Sequence, residues 1–146
     1  MYGGTIWNSP DYGVKLASGG IFEMFGGEIT NNGIGVDMSD GGTLILHPGV
    51  KIYDETYKQG LLVNGANPDI KFEGFADDTD FENTKIKIGF ENFNLPGEGE
   101  EDAVFLTGLD RDYSSCFVSA KVGYEIVDIE ENGQHSLAVR NSNSHR

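Results

Sequence analysis

Residues 3–52 contain one short phrase three times, as Gly3-Gly4-Thr5-Ile6, Gly26-Gly27-Glu28-Ile29 and Pro48-Gly49-Val50-Lys51-Ile52. The last isoleucines of these phrases, at positions 6, 29 and 52, are each 23 residues apart. A fixed spacing of this size indicates a repeat architecture, in which copies of one structural unit stack on their neighbours.

Each copy contains three short runs in which apolar and polar residues alternate, which is typical of β-strands because successive side chains point to opposite faces. One register of this alternation is entirely apolar, and we expect it to face a core. The other register is mostly polar and is expected to face water. The predicted inward residues are Ile6, Val14, Leu16, Phe22, Met24, Ile29, Val36, Met38, Leu44, Leu46, Ile52, Leu61, Val63, Ile70 and Phe72.

Three strands per copy, joined by glycine-rich and asparagine-rich corners, predict an all-β fold. We expect a right-handed parallel β-helix of about three to four rungs with a 22–23 residue repeat and a C-terminal β cap. The rungs are assigned to residues 1–91, an exposed acidic Pro/Gly loop to 92–102, the capping strands to 103–140 and a frayed tail to 141–146. Within the cap, Asn132-Gly133 predicts a tight hairpin turn.

The corners between strands carry asparagines at matching places in neighbouring copies. Asn31 and Asn32 occupy the corner that Asn8 and Asp54 occupy one copy before and after. Stacked amides can hydrogen-bond along a β-helix. We therefore interpret these residues as structural rather than ligand-binding.

Several strings resemble the pectate-lyase-like β-helix repeats of large surface proteins of Gram-positive gut bacteria. They are GGTIWN, SGGIFEMFGGEITNN, GVDMSDGGTLILHPGVKI and PDIKFEGF. The later string AVFLTGLDRDYSSCFVSAKVGYEIVDIEENGQHSLAV is similar to the segment that ends such arrays. The resemblance implies a cell-surface stalk or adhesion module that is part of a longer secreted chain.

Composition narrows the possible partners. The net charge of −14 disfavours nucleic acid and anionic membrane surfaces as partners. The sequence has no apolar run long enough for a membrane span. Cys116 is the only cysteine, so an intrachain disulfide and a cysteine-based zinc cluster are both excluded, and beside Phe117 it is expected to be a small core residue.

A group of aromatic residues is the strongest candidate for ligand binding. Trp7 and Tyr53 are predicted in one outward column, with Tyr12 and Tyr57 in adjacent corners. Aromatic rings offer a flat apolar face with a polar rim, which suits a sugar. Asp37 is also a candidate ligand-binding residue, because enzymes of β-helix fold carry carboxylates on an outward strand face.

Catalytic and metal sites have weaker support. A polar cleft through Asp37, with Asp40 at the next corner and Lys15 one rung earlier, is interrupted by Leu62 on the third rung, so we assign no catalytic residue. The three histidines, His47, His135 and His145, are scattered, and no metal ligand set is assigned to them. Calcium is the one possible cofactor, and its weak candidate ligands are Asp77, Asp78, Asp80 and Glu82.

The sequence thus favours a non-catalytic structural or adhesion module whose lateral face meets glycans or host proteins. One alternative is a fragment of a polysaccharide lyase or glycosidase of β-helix fold, and a second is an acidic inhibitor that mimics nucleic acid. Because Ile6, Val14 and Phe22 belong to the first rung, we expect upstream rungs or self-association to cover that end.

Overall fold

The computed structural model describes residues 1–53 and 59–144 and confirms an all-β fold in which parallel strands stack into a β-solenoid of about three turns. Within these residues no helix has the length and apolar character needed to cross a membrane. In chain order, the solenoid contains β1 (Thr5–Trp7), β2 (Tyr12–Lys15), β3 (Ile21–Met24), β4 (Glu28–Thr30), β5 (Ile34–Met38), β6 (Thr43–Leu46), β7 (Lys51–Ile52), β8 (Gln59–Asn64), β9 (Asp69–Phe72), the short helix α1 (Thr79–Glu82) and β10 (Lys85–Glu91).

Three faces run along the solenoid. Strands β1, β4 and β7 form the first face, β2, β5 and β8 the second, and β3, β6 and β9 the third. All neighbouring pairs are parallel and in register, so equivalent residues stack between rungs about 4.8 Å apart. Each face therefore presents columns of side chains that come from different copies of the repeat.

Strand β10 departs from the repeat because it pairs with strands of two different faces, β7 of the first and β8 of the second. Ile86 pairs with Ile52 of β7, while Ile88 and Phe90 pair with Leu61 and Val63 of β8. The fourth rung therefore passes from the first face to the second without leaving the strand. As the alternation predicts, Ile86 and Ile88 are fully buried.

The remaining strands close the far end of the core. They are β11 (Ala103–Leu109), β12 (Phe117–Ser119), β13 (Tyr124–Glu131) and β14 (Gln134–Asn141). Strand β12 adds to β10 in parallel, whereas β11, β14 and β13 form an antiparallel sheet in that order. The predicted hairpin is confirmed, since β13 and β14 are joined through Asn132 and Gly133, whose φ angles of 52° and 78° are those of a type I′ turn.

One hydrophobic core continues from the solenoid into the antiparallel sheet. Phe105 of β11 is fully buried and packs edge-on against Phe90 of β10, with ring centroids 4.9 Å apart. On the other side of the core, Tyr113 stacks on Phe72 of β9 at 3.9 Å. Cys116 is fully buried in the same core, and burial raises the pKa of its thiol to about 12, which confirms the core assignment.

Some expectations about exposure are wrong. Asp37 and Leu62 have outward register but are only 3% exposed each, so this side of the second face does not contact water there. In the 92–102 loop the glutamates are exposed as expected, but Pro96 is buried, and its carbonyl accepts a hydrogen bond from the Asn141 side-chain amide at 3.2 Å. The tail, which we expected to be frayed, contacts the 92–102 loop at Ser144, whose hydroxyl accepts a hydrogen bond from the Gly99 amide.

Candidate functional site

The outward side of the first face carries the predicted aromatic column. Trp7 pairs with Thr30, and the register of β4 with β7 places Tyr53 next in line. Trp7 is 62% exposed, so most of its indole is available to a ligand. Tyr53 is less accessible, because the ammonium of Lys85 lies 4.2 Å from its ring centroid and that of Lys87 lies 5.9 Å away. Tyr57 lies outside the described residues.

Lysines concentrate on the same side of this face. Lys51 and Lys85 pair directly across β7 and β10, and both are exposed. Like charges directly opposite each other destabilise a sheet. The repulsion is offset by Glu28, which pairs with Lys51 on its other side, and by the cation–π contact of Lys85 with Tyr53. We call the outward side chains of Trp7, Lys51, Tyr53 and Lys85 the lateral face; Lys87, only 8% exposed, is buried and is not part of it.

Tyr12 belongs to a separate group at the start of the second face. The Lys15 ammonium lies 4.6 Å from the Tyr12 ring centroid, 3.4 Å from Asp40 and 3.8 Å from Asp37. The electrostatic effect of Tyr12, and after it those of the two carboxylates, raises the pKa of Lys15. This group is an ion-paired cluster with one partly exposed aromatic ring.

The Asp37 carboxylate has structural partners. It is buried, and its Oδ1 accepts a hydrogen bond from the Ser39 amide at 2.8 Å. Its partner on β8 is Leu62, so the polar surface ends at this rung, as the sequence indicates. The structure therefore does not join Asp37 to the aromatic residues of the lateral face.

The weak calcium candidates lie in and around α1. The Asp80 carboxylate accepts hydrogen bonds from the amides of Ala76 and Asp77, and Asp77 accepts from the amide and hydroxyl of Thr79. The Thr79 hydroxyl is also the main reason that the pKa of Asp77 is lowered. Asp78 and Glu82 are exposed. Two of the four carboxylates thus accept hydrogen bonds from within their own loop.

A cluster that the sequence analysis missed lies on the third face. His47 Nε2 is 2.7 Å from Glu23 Oε2 and 3.8 Å from Glu73 Oε2. These three ligand-type atoms all lie within 4.8 Å of one another. The residues are separated by 24 and 26 positions in the chain, and stacking of β3, β6 and β9 brings them together.

The histidine of this cluster is held in a stack of rings. Phe25 stacks on His47 with ring centroids 4.2 Å apart, and Tyr2 stacks on Phe25 at 4.6 Å. The register explains the stack, because Phe25, His47 and Glu73 each follow the last paired residue of their strand. Aligning the residue after each third run would have placed His47 and Glu73 in one column, but Glu23 lies in register with Ile45 and would not have been found in this way.

A groove of about 690 Å³ separates the edge of β9 from β11. Its walls include Asp69, Lys71 and Glu73 on one side and Thr107 and Asp110 on the other. None of the predicted ligand-binding residues in the described part of the chain lines this groove. Glu73, one of the groove residues, is also a member of the third-face cluster with Glu23 and His47.

Comparisons with protein-family models, with curated proteins and with solved structures gave no match for this chain.

Proposed function

We propose that this chain is a non-catalytic adhesion module that binds glycans through its lateral face. The observation that carries the proposal is the exposure of Trp7, 62% of whose surface is open to solvent, on the same face as Tyr53 and a group of lysines. A large aromatic ring usually lies inside a soluble protein, and one held outward on a strand is suited to stack against a sugar.

The lysines indicate which glycans the face suits. Lys51 and Lys85 bring two exposed ammonium groups to adjacent rungs of a chain whose net charge is −14. A carboxylated or sulfated glycan would pair with these groups and relieve the repulsion between them. We therefore infer that the ligand is an acidic glycan rather than a neutral one.

A non-catalytic role is supported by the carboxylates that a β-helix enzyme would need. Asp37 is buried and bonded to its own turn, and Leu62 takes the next place in its column. A retaining or inverting glycosidase requires two carboxyl groups flanking an open cleft. The resemblance to bacterial surface repeats supports this role, and on that ground we propose a location on a cell surface, within a longer secreted chain.

A glycan array that includes neutral, carboxylated and sulfated members tests the proposal, with hits measured by calorimetry. We expect acidic glycans to bind, and Trp7→Ala to weaken binding about 5-fold because one stacking contact contributes about 1 kcal/mol. Lys51→Gln combined with Lys85→Gln should weaken binding and reduce its dependence on salt concentration.

A matched control is Lys121→Gln, since Lys121 also lies over a tyrosine, 5.8 Å from the Tyr124 ring centroid, but outside the lateral face. This variant should bind like the wild type. An array without acidic hits, or full binding by Trp7→Ala, would overturn the proposal. Cleavage of any bound glycan would favour the enzyme alternative.

A further inference from the structure

We propose that Glu23, His47 and Glu73 form a binding site for a divalent transition metal ion of the zinc type, a site independent of glycan binding. The three side chains come from three successive rungs of the third face and point their ligand atoms at one another. One imidazole nitrogen and two carboxylate oxygens are a donor set that Zn²⁺ accepts.

The distances fit a tetrahedral ion after small side-chain movements. Bond lengths of about 2.0–2.1 Å place neighbouring ligand atoms of a tetrahedral zinc about 3.3 Å apart. The separations of His47 Nε2 from Glu23 and Glu73, 2.7 and 3.8 Å, lie on either side of that value. Glu73 has room to adjust, since its side chain is 55% exposed, while the His47 side chain is 17% exposed and stacks on Phe25.

The charges and the imidazole orientation also suit a cation. Two carboxylates beside one imidazole give a local excess of negative charge, in a chain whose net charge is −14. Stacking on Phe25 fixes the ring plane of His47, so Nε2 stays directed at the carboxylates. Metal entry replaces the hydrogen bond between His47 and Glu23, and the proton on Nε2 either moves to Nδ1 or leaves.

Three protein ligands leave one tetrahedral position for water. This arrangement is found in catalytic zinc sites, whereas structural zinc sites take four protein ligands. Because Glu73 also lines the groove between β9 and β11, a bound ion would lie beside that groove. The site is thus open to a small ligand that can replace the water.

Calorimetric titration of the tag-free chain with ZnCl₂ tests the site, with CoCl₂ as a spectroscopic probe. We expect one ion per chain and the visible absorption bands of tetrahedral cobalt. His47→Ala and Glu73→Gln should each lower the zinc affinity at least about 100-fold, since loss of an outer-shell partner alone costs 10–100-fold. Calcium should not displace zinc, because it prefers oxygen ligands.

The chain supplies a matched control in His135, whose Nδ1 is 3.0 Å from Asp128 and whose side chain is 16% exposed, close to the 17% of His47. Among the described residues, Asp128 is the single carboxylate within 4.0 Å of the His135 ring nitrogens, so His135→Ala should retain zinc binding. Circular dichroism of each metal-free variant checks its fold. Absence of saturable zinc binding, unchanged binding by a folded His47→Ala variant, or displacement of zinc by equimolar calcium would overturn the assignment.

Discussion

At the scale of single residues, Asn32 is a buried polar side chain whose hydrogen bonds are all to the backbone. It is 2% exposed, and it accepts a hydrogen bond from the Ser9 amide at 2.9 Å. It also donates to the carbonyls of Ile6 and Thr30 at 3.1 and 3.0 Å. One side chain therefore satisfies backbone groups of two rungs at a corner where the chain turns, which supports the interpretation of this residue as structural.

At the same corner, the side chain of Asn31 forms a hydrogen bond to the neighbouring rung. Its amide donates to the Asn8 side chain at 2.5 Å, so the predicted amide ladder is confirmed for this pair. Asn8 and Asn31 both have left-handed φ angles, 60° and 52°, a conformation that asparagine adopts more readily than most other residues. The matching asparagines therefore serve both the turn and the contact between rungs.

We predict that Asn32→Ala lowers the free energy of unfolding by about 2–4 kcal/mol, because three backbone groups lose their partner in a buried corner. Urea denaturation followed by circular dichroism measures the change. Asn143→Ala, at an exposed position near the end of the described chain, should stay within about 0.5 kcal/mol of the wild type. Equal stability of the two variants would contradict a structural role for Asn32.

At the scale of elements, the corner between the first and second faces depends on a stack of glycines. Gly13, Gly35 and Gly60 occupy equivalent places in β2, β5 and β8. A Cβ on Gly35 would lie 2.5 Å from the Gly60 carbonyl oxygen, and one on Gly60 would lie 2.3 Å from the Ile52 carbonyl oxygen. The rungs can stack this closely only because these positions have no side chain.

Gly60→Ala should therefore destabilise the chain by about 1–3 kcal/mol or more, since the new methyl group meets backbone that cannot move aside. Thermal and urea unfolding both report this loss. Gly3→Ala is the matched control, because a Cβ at Gly3 meets nothing within 4 Å and its φ is not left-handed. A Gly60→Ala variant as stable as Gly3→Ala would show that the rungs can separate at this corner.

At the scale of the whole molecule, the two ends of the solenoid differ. The antiparallel sheet of β11, β14 and β13 packs into the core at one end, and Phe105 is fully buried there. At the other end β1, β2 and β3 are edge strands, and Ile6, Val14 and Phe22 are only partly buried. Tyr2, at 83% exposure, presents the outer face of its ring at the same end.

This difference predicts concentration-dependent self-association of the chain through β1, β2 and β3, because unpaired strand edges and apolar surface favour contact with a second copy. Size-exclusion chromatography with light scattering measures the mass across a concentration series. Tyr2→Asp should shift the equilibrium toward monomer by adding charge to the exposed ring stack. Val122→Asp, at a 96% exposed position near the opposite end, should have no effect. A wild type that stays monomeric at high concentration would contradict the prediction.

The solenoid, its inward residues and the Asn132-Gly133 hairpin could all be predicted from the amino-acid sequence. These features depend on alternation within a strand, on a nearly constant period and on local turn geometry, all of which are visible in consecutive residues. The stacking of Ile6, Ile29 and Ile52 follows from the same period and is present in the structure.

The contacts between side chains of different rungs could not be predicted from the sequence where the period varies. Glu23, His47 and Glu73 come together at separations of 24 and 26 residues, and Lys85 reaches Tyr53 because β10 continues the first face. The burial of Asp37 was likewise set by the packing around the second face rather than by its outward register. Contacts of this kind depend on corner lengths and on the irregular fourth rung, which no local pattern encodes.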